Sequence, residues 1–370
     1  MNINTYCFIT REYPTETGFG GIATYVWHMA HLLSEKGIQV TVFSYSMEID
    51  KVYEEDNIKV IRKKLSKPLL LHWYVEVFRF LIKNTFDVVE DTDFDGSTFL
   101  YQWLLKKRKN FIHVRLHTCH QIINYYEQKQ PILLTPLNFI EKYVTSHADL
   151  ITAPTISIKQ LTGLLWNIPE SKIKIFPHPF YMNNIEVNNP APDNDYILYF
   201  GRLQVRKSAD LLLHLCRCDF LKDKPYKLIL IGEDMYSFAK QLSNINNITS
   251  TKVELKGHIA CTKTLFSYIK SAKAVFLPSK FESFGLTVLE SLFFNPNTYV
   301  LSNSGPLEIM VTLGLEKNVL DENILLQNTS YLFDKIENGN NIPLKEIRQR
   351  INEKFGYDVV FTYLMNSLKK

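Results

Sequence analysis

The sequence predicts an α/β protein of two doubly wound, Rossmann-like domains, and three observations carry that reading. The chain has 370 residues, beyond the ~250–300 at which a single core stops growing. Short apolar runs alternate with helical segments through both halves, as parallel sheets with helical crossovers require. A stretch holding Pro177, Pro179, Pro190 and Pro192 interrupts the pattern and marks a linker.

Each element follows from local pattern. Residues 3–9 are a short apolar strand, followed by Gly18, Gly20 and Gly21 in a loop. Ile22, Val26, Met29, Ala30 and Leu33 then recur at helical spacing up to Lys36-Gly37, a helix end. Residues 38–45 return as a strand, completing a βαβ unit. Further apolar runs at 58–62, 86–90, 111–116 and 149–153 continue the first domain. Past the linker the pattern restarts with strands at 196–200, 227–231, 252–257, 274–279 and 298–302. The domains are expected at 1–180 and 181–351.

Composition narrows the class. Hydrophobic residues make up 46% and charged residues 22%, which excludes a disordered chain. A net charge of +4 lacks the strong basic excess of a nucleic-acid binder. Five scattered cysteines form no C-x-x-C pair, so neither zinc nor a disulfide framework is indicated. The start lacks a signal-peptide pattern, and no run approaches ~18 apolar residues. A reducing, cytoplasmic setting is expected.

The second half carries the most chemistry. In LPSKFESFGLTVLESL (277–292) a strand ends at Pro278-Ser279, a loop holds Glu282, and Gly285 opens a helix bearing Glu290. Ligands of open α/β sheets bind at the carboxyl ends of strands. A helix start offers amides and a positive dipole end to an anion. The main chain at Phe284, Gly285, Leu286 and Thr287 is therefore a candidate contact for phosphate or sugar. Alone, the Glu pair fits a helix cap and a solvated residue equally well. FGRLQVRK (200–207) shifts the balance: Gly201 permits a tight turn, and Arg202 and Lys207 follow the strand end. Such cations suit a diphosphate. SNSGPLEIM (302–310) adds a turn and Glu308 after the next strand.

The ordered set GRLQVRK, KLILIG, VELKGHI, AVFLPSKFESFGLTVLE and SNSGPLEI resembles family-4 retaining glycosyltransferases of the GT-B fold across almost the whole second half. The resemblance implies two Rossmann-like domains facing a central cleft, with a final helix (352–370) crossing back to complete the first. It casts Arg202 and Lys207 as ligands of the donor diphosphate, Glu290 as a ribose ligand and Glu282 as a neighbour of the donor sugar. Ser208 departs from the family's usual glycine, and IGEDMYS (231–237) keeps Gly232 but lacks a second glycine.

REYPTETGFGGIATYVWHMAHLL (11–33) resembles the same family's first loop and helix, with Gly20 and Gly21 near a pyrophosphate. His117, in VRLHTCH (114–120), matches the position bordering the transferred sugar. Asp91-Thr92-Asp93 looks like a metal-binding D-x-D, but the cationic site already serves a diphosphate. Glu90, Asp91, Asp93 and Asp95 are therefore read as acceptor-side or solvated residues, with no metal. Residues 59–83 carry seven Lys or Arg and one acid, with interleaved aromatics. They are read either as a helix for an anionic membrane surface or as one packed on the sheet.

The resulting expectation is a retaining, metal-independent transferase. It would move sugar from a UDP- or GDP-sugar, with no cofactor, to a glycan or glycolipid in surface polysaccharide assembly. A GT-B nucleotide-sugar epimerase and a catalytically silent sugar-nucleotide-binding partner are the alternatives.

Overall fold

The computed structural model describes residues 3–14, 16–17, 20–67, 69–128, 136–182, 195–338 and 342–369. Gly18 and the linker prolines Pro190 and Pro192 lie outside them. The chain forms two compact units, one of 1–124, 130–181 and 355–370, the other of 125–129 and 182–354.

The first unit is built on strands β1 (Thr5–Ile9), β2 (Gln39–Ser46), β3 (Lys51–Glu55), β4 (Ile58–Lys64), β5 (Val88–Thr92), β6 (Phe111–Arg115), β7 (Leu150–Ala153) and β8 (Ile173–Ile175). Their order is β3-β4-β2-β1-β5-β6-β7-β8, parallel except for β3. Six helices intervene: α1 (Gly21–Glu35), α2 (Leu69–Lys83), α3 (Phe99–Leu104), α4 (His120–Tyr126), α5 (Pro136–Ser146) and α6 (Ile156–Trp166). Central strands covered on both faces are rich in apolar residues, which is why these runs stand out in the sequence. The terminal helix Tyr357–Leu368 places Val360, Leu364 and Leu368 in the same core as Val26, Met29 and Leu33 of α1.

One sequence expectation is corrected here, and one strand is added to those expected. Residues 59–83 are not one helix: β4 occupies the first part, and its Ile58, Val60 and Arg62 point inward with the two-residue period of a strand. Arg62 is buried and donates to the carbonyls of Tyr13 and Pro14 at 3.1 and 2.8 Å, so it forms no part of a basic surface. Edge strand β3 carried no apolar run; it is joined to β4 by Asp56 and Asn57, both at positive φ, as a tight hairpin turn requires.

In the second unit the strands are β9 (Tyr196–Phe200), β10 (Lys227–Ile231), β11 (Val253–Gly257), β12 (Ala274–Leu277), β13 (Thr298–Leu301) and β14 (Val319–Leu320). The order is β11-β10-β9-β12-β13-β14, all parallel. Between them run α7 (Ala209–Arg217), α8 (Phe238–Leu242), α9 (Ile248–Thr251), α10 (Thr262–Ser271), α11 (Leu286–Phe294) and α12 (Ser304–Leu313). The chain winds outward from β9 in one direction and from β12 in the other. Loops therefore diverge at the carboxyl ends of those two strands and leave a crevice there.

Candidate functional site

That crevice gathers most of the second-domain residues singled out in the sequence. After β9, Gly201 turns the chain at φ 133°, and Val205–Lys207 forms a single 3-10 turn before α7. After β12, the loop 278–284 carries Glu282 to the same place. The Lys207 ammonium contacts the Glu282 carboxylate directly, and Ser279 Oγ donates to that carboxylate at 3.1 Å. Both charged side chains are largely covered, each 14% exposed.

The loop is braced from β13. Glu282 N donates to Ser304 Oγ and Gly305 N to the Glu282 carbonyl, both at 3.1 Å. A Cβ on Gly305 would lie 2.2 Å from the Phe284 carbonyl oxygen, so only glycine fits. The backbone carrying Glu282 and Phe284 is thus fixed by the SNSG turn.

Burial, with the charges of Arg206 and Arg202 beside it, pushes the Lys207 ammonium well below the usual lysine range; Glu290 and Glu127 pull the other way. An anion placed here restores the lost charge balance, which is a physical reason for a phosphate to bind. Helix α11 follows Gly285, φ 113°, an N-cap residue with no side chain of its own to offer the first amides. Its first amides and positive dipole end therefore add to the cations. Arg202 is exposed, and its charge acts on the neighbouring Lys207.

Arg206 was missed in the sequence. It donates to the Phe281 carbonyl at 3.1 Å and lies 3.6 Å from Glu282 and 3.7 Å from Glu127. Its signal was present as the second cation of the V-R-K turn, but only the fold turns it onto Glu282.

Glu290 sits on α11, partly buried, and burial raises its carboxyl to about 7 against the pull of Lys207. Its unfolded value is about 4.3. Between those values the folded chain keeps a proton that the unfolded chain sheds, so this group lowers stability progressively as pH rises to 7. Glu290→Gln is expected to gain thermal stability relative to wild type on going from pH 5 to pH 8. Equal differences at both pH values would contradict the assignment.

Ser208, the departure from the family's glycine, adopts φ 62°. Its hydroxyl is buried with no partner among the described residues. A side chain in left-handed backbone costs about 1–2 kcal/mol. Ser208→Gly should therefore raise stability by about 1 kcal/mol in urea unfolding; a lower midpoint would contradict this.

In the first unit, Gly20 is the N-cap of α1 and a Cβ added to it would lie 3.0 Å from the Glu12 carboxylate, whereas one on Gly21 would face open space. Neither position demands glycine sterically, since the Glu12 carboxylate is the movable end of a side chain and Gly20 stands at φ -95°. The acidic strand end is corrected: Glu90, Asp91, Asp93 and Asp95 are all buried rather than solvated, because β5 runs in the middle of the sheet between β1 and β6. Asp91 accepts from Thr98 N and Oγ1 at 2.7 Å and from Thr92 N at 2.9 Å. Those bonds fasten the loop, while burial still raises the carboxyl to about 7.

His117 N donates to Asp93 at 2.7 Å, and its ring stacks on His178 with centroids 5.1 Å apart. Burial and the Arg115 guanidinium push both imidazoles well below their ordinary range, so both rings are neutral. The neighbouring His113 is tied to Glu90 at 3.0 Å and to Thr152 at 2.7 Å, and is structural. Above this layer a cavity of about 370 Å³ is lined by Thr10, Arg11, Ile22, Tyr45, Phe94 and Asp95. Arg11 pairs with Asp95 there.

Comparison with known proteins agrees with this arrangement. The model of Glycosyltransferase Family 4 matches residues 19–181, and that of Glycosyl transferases group 1 matches residues 182–353. An uncharacterized glycosyltransferase of Methanocaldococcus jannaschii is 23% identical over 328 residues, 82% of this chain and 81% of the relative. Sucrose-phosphate synthase from Thermosynechococcus elongatus superposes with a TM-score of 0.74 at 17% identity, covering 98% of both chains. The lipopolysaccharide outer core galactosyltransferase WaaB superposes with a TM-score of 0.68 at 20% identity, covering 98% of this chain and 99% of its own. With two sheets of this topology and family matches running from 19 to 353, the chain belongs to the group 1, family-4 glycosyltransferases of the GT-B fold.

Proposed function

We propose that the protein transfers a sugar, with retention at the anomeric carbon, from a UDP- or GDP-sugar to a hydroxyl of a glycan or glycolipid acceptor. Surface polysaccharide assembly at the cytoplasmic face of a membrane is the setting that suits such an acceptor. The observation that carries the reading is the group of Arg202, Arg206 and Lys207 beside the glycine-led start of α11.

As the bond from the anomeric carbon to the diphosphate breaks, the electron pair leaves with the phosphate oxygen. Cations and amides already in place stabilise that charge without reorganising. The acceptor oxygen bonds to the same face of the sugar, and its proton passes to the departing phosphate. Products are the glycoside and a nucleoside diphosphate. Glu290 holds the ribose and Glu282 the sugar hydroxyls, while the main chain at Phe284, Gly285, Leu286 and Thr287 meets sugar and phosphate. The cavity at Tyr45 and Phe94 is the acceptor's place, with neutral His117 beside the transferred sugar.

In this scheme the diphosphate charge is met by side chains, and no divalent cation is required. Asp91 supports that view, since both its carboxylate oxygens already accept hydrogen bonds. Transfer rates are expected to stay within about twofold after dialysis against EDTA. A loss restored by Mn²⁺ or Mg²⁺ would contradict the scheme. Product analysis with and without acceptor separates transfer from epimerisation.

A further inference from the structure

One face of the first unit is apolar, basic and open to solvent. Helix α2 carries two apolar stripes. Trp73, Tyr74, Val77 and Leu81 are buried, whereas Leu71 and Ile82 are 57% and 41% exposed. Half-buried Val75 and Phe78 lie between them at helical spacing. Helix α3 packs against both α2 and α5 and ends in Trp103 and Leu104, 49% and 56% exposed. Phe139 of α5 is also exposed, its ring 5.8 Å from that of Trp103. Large apolar residues exposed singly are ordinary; a joined set is not.

The charges around this set are predominantly basic, with Asp149 beside Arg108 at 3.5 Å as an acid at its edge. The run Lys106-Lys107-Arg108-Lys109 follows α3 directly, and Lys83 and Lys142 flank it from α2 and α5. Lys109 Nζ donates to the Ile82 carbonyl at 2.9 Å, pinning the basic loop to the end of α2. The acids of these helices are neutralised or hidden: Glu76 pairs with Arg79 at 2.8 Å, and Glu141 is buried. Protein interfaces are depleted in lysine, whereas tryptophan with lysine is characteristic of the bilayer–water boundary.

We infer that this face docks on an anionic lipid bilayer, with Trp103, Leu104 and Ile82 entering the headgroup region and Lys83, Lys106 and Lys107 meeting lipid phosphates. The sequence reading put membrane contact on residues 59–83; the structure moves it to one side of α2 joined to the end of α3 and to α5. The inference rests on the membrane-surface part of the proposed function and not on the sugar chemistry.

The test is flotation of the full chain with vesicles of phosphatidylcholine, alone or mixed with phosphatidylglycerol. The expected result is flotation with the anionic vesicles only, weakened by salt. Lys83→Glu/Lys106→Glu/Lys107→Glu should lower partitioning by at least roughly 100-fold. Trp103→Ser/Leu104→Ser should also abolish it. Equal flotation with neutral vesicles, no flotation, or variants that float like wild type would each overturn the inference. So would light scattering that shows a dimer lost in Trp103→Ser/Leu104→Ser, since a second copy then covers the face. Nucleoside diphosphate binding is measured on the same preparations. Binding kept while flotation is lost confirms folded variants and supports the surface; a wild type that floats without binding removes the donor reading alone.

Discussion

Lys207→Met should lower kcat/KM for sugar transfer by roughly 10²–10³-fold, the usual loss when one group aimed at developing charge is removed. Methionine keeps the length and packing of the lysine stem while deleting its ammonium. The complication is Glu282, whose carboxylate contacts that ammonium and would be left partly buried beside Arg206. Some loss of stability is therefore expected as well. The double variant Lys207→Met/Glu282→Gln separates the two effects. Removing both charges should recover most of the thermal stability and none of the transfer rate. Recovery of transfer to within tenfold of wild type would reduce Lys207 to a counterion for Glu282.

The largest stability effect is expected at Gly232. A Cβ there would lie 2.0 Å from the Gly201 carbonyl oxygen and 2.6 Å from its carbon, and the backbone stands at φ 149°. Neither atom belongs to a movable side chain. The ends of β9 and β10 would have to separate, breaking the bond from Gly201 N to the Ile231 carbonyl at 2.8 Å. Gly232→Ala should cost about 3 kcal/mol or more, seen as a lower urea midpoint for the second unit. Gly201 itself has only the Tyr199 hydroxyl near its open side, at 3.8 Å, so Gly201→Ala is limited to its backbone strain. A midpoint unchanged in Gly232→Ala would mean the two strand ends are not packed as described. Gly232 thus has a structural reason to be glycine, whether or not it touches a nucleotide.

The contrast between these positions shows what the sequence could reveal. Strands such as YILYF were legible because a strand buried on both faces tends to be continuously apolar. Edge strand β3 and the short β8 and β14 lack that signature. The run 59–83 misled because its charges were read together, when Arg62 is inside the sheet and only part of α2 faces out. In the site, Gly201, Lys207, Glu282, Gly285 and Glu290 were readable from loops at strand ends. Arg206 was not, since its role depends on a 3-10 turn that aims it at Phe281 and Glu282. The burial of Asp91, Asp93 and Asp95 was equally hidden, because their partners Thr98, His117 and Arg11 are set by tertiary contacts.

The central claim is that the cations after β9 and the start of α11 hold a diphosphate. Calorimetric titration of wild type and Lys207→Met with UDP, UMP, GDP and GMP tests it most directly. Wild type should bind one diphosphate at least about tenfold more tightly than its monophosphate, and Lys207→Met should erase most of that difference. Equal affinity of wild type for mono- and diphosphates, or an unchanged preference in the variant, would contradict it.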